Sequence, residues 1–314
     1  MADSTPYIRE DVQGFLALVN SLPPPEALVA EEQRAGYLAM KSMTEADPRP
    51  MAVIKDLTCP GPAGAIPVRF YDVRESRDPS PVILFFHGGG FVIGDLDTHN
   101  SLCTELSAEL DLPVLAVHYR LAPEHPFPAA PDDCEAAARW LAASSAELGR
   151  QVTGIVTIGG SAGGNLATVT ARALCDKPAA APMVLQVLLY PATDESQDGS
   201  MERLAEGHFL TKAVMDWFYS LYLPRSGDPR AFPLLASAEG MPPSIVATAG
   251  LDPLQDQGRR MASKLVEAGV DTLYLHMEGM THDFSTTRKA LPSAAYEMGR
   301  VIAAMKLMLG KVSA

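Results

Sequence analysis

The chain has 314 residues, of which 47% are hydrophobic and 20% are charged. This length accommodates one large α/β domain or two small ones. The formal net charge of −13 argues against a nucleic-acid partner, because binding to phosphates needs clustered Lys and Arg. No apolar run approaches the roughly 18 residues of a membrane-spanning helix, and the N-terminus lacks the basic and apolar regions of a signal peptide. We therefore expect no membrane partner.

The four cysteines, at positions 59, 103, 134 and 175, are too far apart in the sequence to form a C-x-x-C pair. Their spacing argues against a zinc site and a disulfide framework, and it suits a reducing cytoplasm. The histidines show no H-x-x-x-H or H-E-x-x-H spacing. We therefore expect a cytoplasmic protein without a bound metal.

Two helices are predicted within residues 1–50, separated by Pro23-Pro24-Pro25. The second runs from Glu26 to about Met43. The first has apolar residues along one face, at Ile8, Val12, Phe15, Leu16 and Val19.

From Val53 onward, strand-like and helix-like segments alternate. Apolar runs predict strands at 66–71, 81–86, 113–119, 155–158, 183–190, 244–249 and 272–277. Helices are predicted between them, at 101–109, 132–146, 166–174 and 256–268. Alternation of this kind predicts a mostly parallel sheet covered by helices on both faces.

A second irregular region, residues 194–227, interrupts this alternation. Its predicted helix, residues 212–223, is more apolar than one buried face requires and includes Trp217. Two interpretations remain open. The helix packs against the domain, or it belongs to a cap whose apolar inner side lines a pocket; both can hold together.

The pentapeptide Gly159-Gly160-Ser161-Ala162-Gly163 lies between the predicted strand 155–158 and the predicted helix 166–174. G-x-S-x-G at such a junction is typical of a nucleophile elbow, a turn too tight for flanking side chains. The turn exposes the serine hydroxyl at the positive end of the following helix. We therefore predict that Ser161 is a nucleophile.

A serine hydroxyl needs a base to remove its proton, and in α/β hydrolases an acid and then a histidine follow the serine, each after a later strand. Asp252 follows the predicted strand 244–249, and His282 follows the predicted strand 272–277. Both are therefore expected at the sheet edge that presents Ser161. Asp256 is a second candidate for the acid, which the sequence does not eliminate.

Three glycines, 88–90, follow His87 and the predicted strand 81–86. A flexible turn would explain a bare triplet, but this one stands between a buried strand and, as we expect, a helix. We predict that the N–H groups of Gly88, Gly89 and Ala162 stabilise a negatively charged oxygen during the reaction. His87 is expected to brace this loop.

Five blocks of sequence resemble the hormone-sensitive-lipase family of bacterial esterases. They are the HGGGFVIGD sequence at 87–95, YRLAPE with PFPAA at 119–130, GGSAGG at 159–164, Asp252-Pro253-Leu254 and the His282 loop. The resemblance spans about residue 53 to the C-terminus. It implies an α/β-hydrolase fold, hydrolysis of short-chain carboxylic esters and no cofactor. It also implies dimerisation, often through the edge strand between Thr272 and Met277.

The resemblance implies an N-terminal helical cap, and the irregular region 194–227 is predicted to add to it, so we divide the chain into a catalytic core and a cap. Residues 1–50 are expected to form the N-terminal part of the cap, and residues 194–227 its second part. The core, a mostly parallel central sheet flanked by helices, comprises residues 51–193 and 228–314.

Three positions depart from the family pattern. Gly160 stands where the family usually has Asp, which removes a supporting hydrogen-bond partner. Asp283 stands where Gly usually follows the histidine; we expect it to face solvent, although an inward carboxylate would raise the pKa of His282. Gln255-Asp256-Gln257 replaces Arg-Asp-Glu.

The substrate is expected to be a small-molecule ester. Candidate pocket residues, for each of which packing alone is an equal explanation, are Phe91, Tyr190, Phe209, Leu210, Trp217, Met280 and Phe284. Two alternative functions remain. A non-catalytic binding protein on this fold would typically lack His282, and an amidase or lipase would share the triad.

Overall fold

The computed structural model describes residues 6–21, 29–144, 146–197 and 199–312. The triple proline 23–25 and the predicted start of the second helix at Glu26 lie outside these residues.

The described residues form one eight-stranded sheet, in the order β1-β2-β4-β3-β5-β6-β7-β8. Strand β2 pairs antiparallel with β1 and β4, and the other pairs are parallel. The strands are β1 Val53–Gly61, β2 Gly64–Asp72, β3 Ser80–Phe86, β4 Val114–Val117, β5 Val152–Gly160, β6 Met183–Leu189, β7 Ser244–Leu251 and β8 Thr272–Thr281. The predicted mostly parallel sheet is confirmed. Strand β1 was missed, because it is an edge strand whose side chains are mostly exposed.

Helices flank the sheet in the described part of the chain. They are α1 Glu10–Ser21, α2 Ala30–Thr44, α3 Asn100–Leu110, α4 Ala129–Ala142, α5 Ala162–Asp176, α6 Ser200–Arg203, α7 Lys212–Tyr222, α8 Gln255–Glu267 and α9 Pro292–Val312. The last of these has no counterpart among the predicted elements.

Strand β3 explains why both faces of the sheet are covered. Its successive side chains point to opposite faces, and all five residues from Val82 to Phe86 are buried. Val82, Leu84 and Phe86 join an apolar cluster with α4, α5 and α8. Ile83 and Phe85 join a second cluster with α1, α3 and α9. The sheet is therefore a middle layer between two helical layers.

The glycine triplet lies between β3 and α3, as expected, but the helix does not follow it directly. Turns, bends and irregular backbone occupy residues 87–99, and α3 begins at Asn100. Gly89, Gly90 and Gly94 have φ values of 110°, 58° and 92°, which lie outside the right-handed helical region.

Two helices reach the edge of the sheet where the parallel strands end. On α2, Arg34 Nε donates to the carbonyl oxygen of Val92 at 2.8 Å. On α7, the Phe218 ring covers Gly90 so closely that a Cβ at residue 90 would lie 2.1 Å from it. None of the described helices combines the length and apolar character needed to cross a membrane.

Candidate active site

Ser161 lies in the sharp turn predicted between β5 and α5. Its φ of 55° and ψ of −118° are unusual for a residue with a side chain, and such strain persists only where the surroundings hold it. The Ser161 N–H donates to the Leu189 carbonyl oxygen at 2.9 Å. A Cβ at Gly159 would lie 2.3 Å from Gly163, and one at Gly163 would lie 2.0 Å from the Phe86 oxygen. The two outer glycines therefore permit the turn.

Asp252 and His282 meet beside this turn. Asp252 directly follows β7, and His282 directly follows β8. The Nδ1 atom of His282 lies 2.7 Å from Oδ2 of Asp252. The other carboxylate oxygen of Asp252 accepts the Leu254 N–H at 2.8 Å, which fixes the carboxylate in its plane. Because Nδ1 faces Asp252, Nε2 is the histidine nitrogen that can exchange a proton with Ser161.

Asp256, the second candidate for the acid, lies elsewhere. It is in the first turn of α8, where Oδ2 accepts the Ser200 N–H at 2.9 Å. Its ion-pair partners are Arg203 and Arg259. These contacts tie α8 to α6, and His282 has Asp252 as its carboxylate partner.

The glycine loop, residues 88–90, lies directly against the turn at Ser161. A Cβ at Gly88 would be 3.1 Å from the Gly160 oxygen and 3.8 Å from Ser161 Cβ. Ala162 is the first residue of α5, so its N–H has no acceptor within the helix. The Gly89 N–H also has no acceptor among the residues described. Both N–H groups are thus available to a ligand at Ser161.

Gly88 differs from the other two predicted donors. Its N–H lies 3.5 Å from Nε2 of His99, a long contact that directs it at the histidine. Burial lowers the pKa of His99 to about 3, so its ring is neutral and Nε2 can accept. Nδ1 of His99 lies 3.0 Å from Thr98 Oγ1.

His87 contacts and supports the glycine loop, as expected. Its ring is stacked on Tyr119 with a centroid distance of 4.2 Å. Nδ1 lies 2.8 Å from the Gly88 oxygen, and the Tyr119 hydroxyl donates to the His87 carbonyl oxygen at 2.8 Å. Burial lowers the pKa of His87 to about 3, which keeps the ring neutral.

The expectation that Asp283 faces solvent is wrong. It is only 8% exposed, and its Oδ2 lies 2.6 Å from the Lys41 Nζ of α2. Tyr37 on the same helix donates to Oδ2 at 3.1 Å, and Thr286 donates to Oδ1 at 2.8 Å. Burial alone raises the pKa of Asp283, but Lys41, with smaller contributions from His99 and His282, lowers it to about 2. A buried ammonium ion thus draws the carboxylate inward.

Residue 160 is a glycine rather than the Asp that is usual in the family, and the space beside it is filled by another side chain. A Cβ at residue 160 would lie 2.7 Å from Cε2 of Tyr190. The Tyr190 hydroxyl is hydrogen bonded to Ser285 and lies 3.4 Å from Oδ1 of Asp283. Support at this point therefore comes from Tyr190 and from residues 282–286, the histidine loop.

A cavity of about 340 Å³ opens in front of Ser161 and His282. Its walls are the glycine loop, α2, α7 and the segment before α7. Apart from Ser161, His282 and the glycines 88–90, the lining residues are Gln33, Gly36, Tyr37, Met40, Ile93, Phe209, Leu210, Val214, Phe218 and Asp283. A larger crevice of about 550 Å³ lies between α4, α5 and α8 and includes none of the three predicted catalytic residues.

Two of the seven candidate pocket residues, Phe209 and Leu210, line this cavity. The other five are absent from its lining. Met280 and Phe284 are fully buried in the core, on the face covered by α9. Phe91 is stacked on Tyr222 at 3.8 Å, and Tyr190 lies behind His282. Trp217 neighbours a lining residue on α7 without lining the cavity itself.

The lining residues that were not among the sequence candidates come mainly from α2 and α7. On α7, Val214 and Phe218 are four residues apart and therefore lie on the same face, a spacing that the sequence contains. On α2, Tyr37 and Met40 are three residues apart, but nothing in the local sequence indicates that this face meets the histidine loop.

A family model and two known proteins are similar to this chain, and they agree in their fold or activity. Residues 83–286 match the family described as having the alpha/beta hydrolase fold. The carboxylic ester hydrolase LipN of Mycobacterium tuberculosis is 40% identical over 285 residues, which cover 87% of this chain and 76% of that protein. An ethyl acetate hydrolase of Pseudomonas putida is 34% identical over 314 residues, 95% of this chain and 98% of that protein.

A solved structure supports the same relationship. The ester hydrolase EH1AB1 from the metagenome of Lake Arreo, complexed with a bipyridine phosphonate derivative, superposes with a TM-score of 0.90 at 36% identity. The match covers 97% of this chain and 100% of that one. The chain therefore belongs to the α/β-hydrolase family and, within it, to the hormone-sensitive-lipase-like bacterial carboxylesterases that its motifs predict.

Proposed function

We propose that this chain hydrolyses short-chain carboxylic esters through an acyl-enzyme on Ser161. Relatives named carboxylic ester hydrolase, ethyl acetate hydrolase and arylesterase support ester hydrolysis. The observation that carries the mechanism is the 2.7 Å contact between His282 and Asp252 beside the Ser161 turn.

In this mechanism, Nε2 of His282 removes the proton of the Ser161 hydroxyl as its oxygen attacks the ester carbonyl. The carbonyl oxygen becomes negative and accepts hydrogen bonds from the N–H groups of Gly89 and Ala162. The N–H of Gly88, the third predicted donor, joins them only by leaving its long contact with His99.

His282 then donates its proton to the departing alcohol. A water molecule, deprotonated by the same nitrogen, attacks the acyl group, and His282 returns that proton to the Ser161 oxygen as the acid leaves. Asp252 holds the His282 ring and stabilises its imidazolium form. The Leu254 N–H donates to the Asp252 carboxylate and keeps it in place.

The size and lining of the cavity support a short acyl chain. A volume of about 340 Å³ is near the lower end of the roughly 300–1,000 Å³ typical of ligand pockets. Phe218 is packed against Gly90, and Phe209 stands on the adjoining wall. A long acyl chain would have to displace these rings.

The deciding experiment replaces Ser161 by Ala. Turnover of an acetate ester should fall by at least about 10³-fold, while the circular dichroism spectrum is unchanged. Ser42→Ala, at an exposed serine, is the matched control. Near-normal hydrolysis by the Ser161→Ala protein would refute the assignment.

The same preparation tests the alternative functions. A fluorophosphonate should label Ser161 of the wild-type protein, and failure to label would favour a non-catalytic binding protein. A lipase should hydrolyse emulsified long-chain esters faster than dissolved short ones, and an amidase should cleave the corresponding amide at a comparable rate. We expect neither.

We also propose that residues 1–50 and 194–227 form a cap on the core of residues 51–193 and 228–314. The contacts of α2 with the histidine loop and of α7 with the glycine loop support this division. Proteolysis within 194–198, if the proposal holds, should impair hydrolysis before the core unfolds.

A homodimer through β8 is a further proposal. Strand β8 is an edge of the sheet, and several of its side chains, such as the 38% exposed Tyr274, are accessible. Sedimentation velocity should give a mass of about twice the chain's 33.5 kDa; a monomer would contradict the proposal.

A cytoplasmic location is supported by the cysteines. All four are free thiols, and three of them are buried. Free thiols are usual in the reducing cytoplasm. Cell fractionation tests this location, and activity found outside the cytoplasm would contradict it.

A further inference from the structure

Lys41 and Asp283 form a buried ion pair between the first half of the proposed cap and the histidine loop. The two residues are 242 positions apart in the sequence. The Lys41 side chain is 3% exposed, and its Nζ lies 2.6 Å from Oδ2 of Asp283. Nζ also donates to the hydroxyl of Thr286, which is four residues after His282 in the chain.

Asp283 is attached to His282 in a strained, fixed conformation. It directly follows His282, and its φ of 62° and ψ of 22° place it in the left-handed region. Its carboxylate is held by Lys41 and by the hydroxyl groups of Tyr37, Thr286 and Tyr190. Such a set of contacts leaves the carboxylate, and the backbone that joins it to His282, few alternative positions.

Stability alone does not account for this pair. Two charges lose much of their hydration on burial, and apolar side chains of similar size often stabilise a protein as well or better. The pair joins the residue beside His282 to a helix that lines the substrate cavity through Tyr37 and Met40. Its location therefore indicates a role in the reaction.

Several titratable groups face the Asp283 carboxylate, from every element packed against it. They are Tyr37 and Lys41 on α2, His99 before α3, Tyr190 after β6, and His282 on its own loop, which in turn faces Asp252 after β7. Among these groups, the Nζ of Lys41 lies nearest to the carboxylate, at 2.6 Å. It balances a negative charge that would otherwise act on the His282 ring.

We propose that Asp283, neutralised by Lys41, is a positioning residue for His282, which fixes the histidine loop against α2 and balances the charge beside the imidazole. This inference rests on the proposed function, because it assigns His282 the role of the base.

The test compares Lys41→Met, Asp283→Asn and the double variant by the pH dependence of kcat/KM for an acetate ester. Lys41→Met leaves an uncompensated carboxylate that favours the imidazolium, so the acidic midpoint should rise by about one pH unit. Asp283→Asn removes that carboxylate and should lower the midpoint. The double variant should return it close to the wild-type value.

Three controls separate positioning from folding. Lys41→Arg keeps the charge and should keep the wild-type midpoint. Lys55→Met and Asp78→Asn make the same chemical changes at exposed sites and should move nothing. The proposal is overturned if both single variants leave the midpoint unchanged, or if both shift it in the same direction.

A second measurement does not depend on hydrolysis. The ring of His282 can be titrated by NMR in ¹³C-histidine-labelled protein, with its signal assigned by comparison with His282→Gln. We expect the titration midpoint of the His282 ring to rise in Lys41→Met and to fall in Asp283→Asn. If the NMR titration shows these shifts but the wild-type protein hydrolyses no ester, the proposed function is refuted and the charge balance between Lys41 and Asp283 stands. If the wild-type protein hydrolyses esters but the variants show no shifts, only the role of the pair is refuted.

Discussion

The ring of Tyr190 occupies the space into which a side chain at Gly160 would project. A Cβ at residue 160 would lie 2.7 Å from Cε2 and 2.8 Å from the hydroxyl oxygen of that ring. The ring centroid also lies 4.6 Å from that of His282 and 5.1 Å from that of Phe284. Tyr190 therefore supports both the end of β5 before Ser161 and the histidine loop, and its position requires glycine at 160.

Enlarging residue 160 should therefore destabilise the protein. We expect Gly160→Ala to lower the free energy of unfolding by about 1–3 kcal/mol, as overpacking typically does, and Gly160→Asp to lower it further. Urea unfolding measures both effects. Gly299→Ala, in α9 with no atom within 4 Å of the added Cβ, is the control and should be neutral or stabilising.

The double variant Gly160→Ala/Tyr190→Ala identifies the cause. Removing the ring creates room for the added methyl group, so the cost of Gly160→Ala should shrink in the Tyr190→Ala background. An equal cost in both backgrounds would show that Tyr190 is not the obstacle.

The assignment of the acid rests on a second pair of substitutions. Asp252→Asn removes the charge that orients and stabilises the His282 ring, and we expect kcat to fall by about 10³–10⁴-fold. Asp256→Asn weakens the contacts of Asp256 with Ser200, Arg203 and Arg259, none of which involves His282, and should retain most activity. If Asp256→Asn proved the more damaging change, the acid would be wrongly assigned.

The positions of the three proposed catalytic residues could be predicted because the evidence for them is local. Ser161, Asp252 and His282 each follow a strand that the apolar pattern reveals, and the carboxyl ends of parallel strands share one edge of the sheet. Chain order and strand ends were therefore sufficient to bring the three together without any knowledge of side-chain contacts.

The supporting contacts could not be predicted, because their partners are distant in the chain. Asp283 was expected in solvent because carboxylates usually are exposed, and its buried counter-ion Lys41 stands on a helix 242 residues earlier. Tyr190 could be recognised as apolar and close to the site, but only the packing shows that it fills the space beside Gly160.

Two buried histidines should make the protein less stable in mild acid. Burial lowers the pKa values of His87 and His99 to about 3, whereas in the unfolded chain they are close to the ordinary value of 6.5. As the pH falls below 6.5, the unfolded chain binds protons that the folded chain does not, so stability declines. The expected loss is about 1.6 kcal/mol per histidine between pH 6.5 and 5.

Urea unfolding at pH 7.5, 6.5, 5.5 and 5 measures this decline. His99→Gln removes one of the two titrating rings while an amide oxygen can still accept the Gly88 N–H, so its decline should be shallower. His125→Gln, at an exposed histidine, should keep the wild-type slope. A wild-type stability that stays constant from pH 7.5 to 5 would contradict the prediction.

Phe218 should limit the length of the acyl chain. Its ring covers Gly90 and lines the cavity in front of Ser161 and His282. Phe218→Ala should enlarge the cavity and raise kcat/KM for an octanoate ester, relative to that for acetate, by about tenfold. Trp217→Ala removes an even larger ring from the adjacent position of α7, which does not line the cavity, and should leave the ratio unchanged. A profile from acetate to octanoate measures both variants. If Trp217→Ala changed the preference and Phe218→Ala did not, the acyl chain would lie on another side of α7.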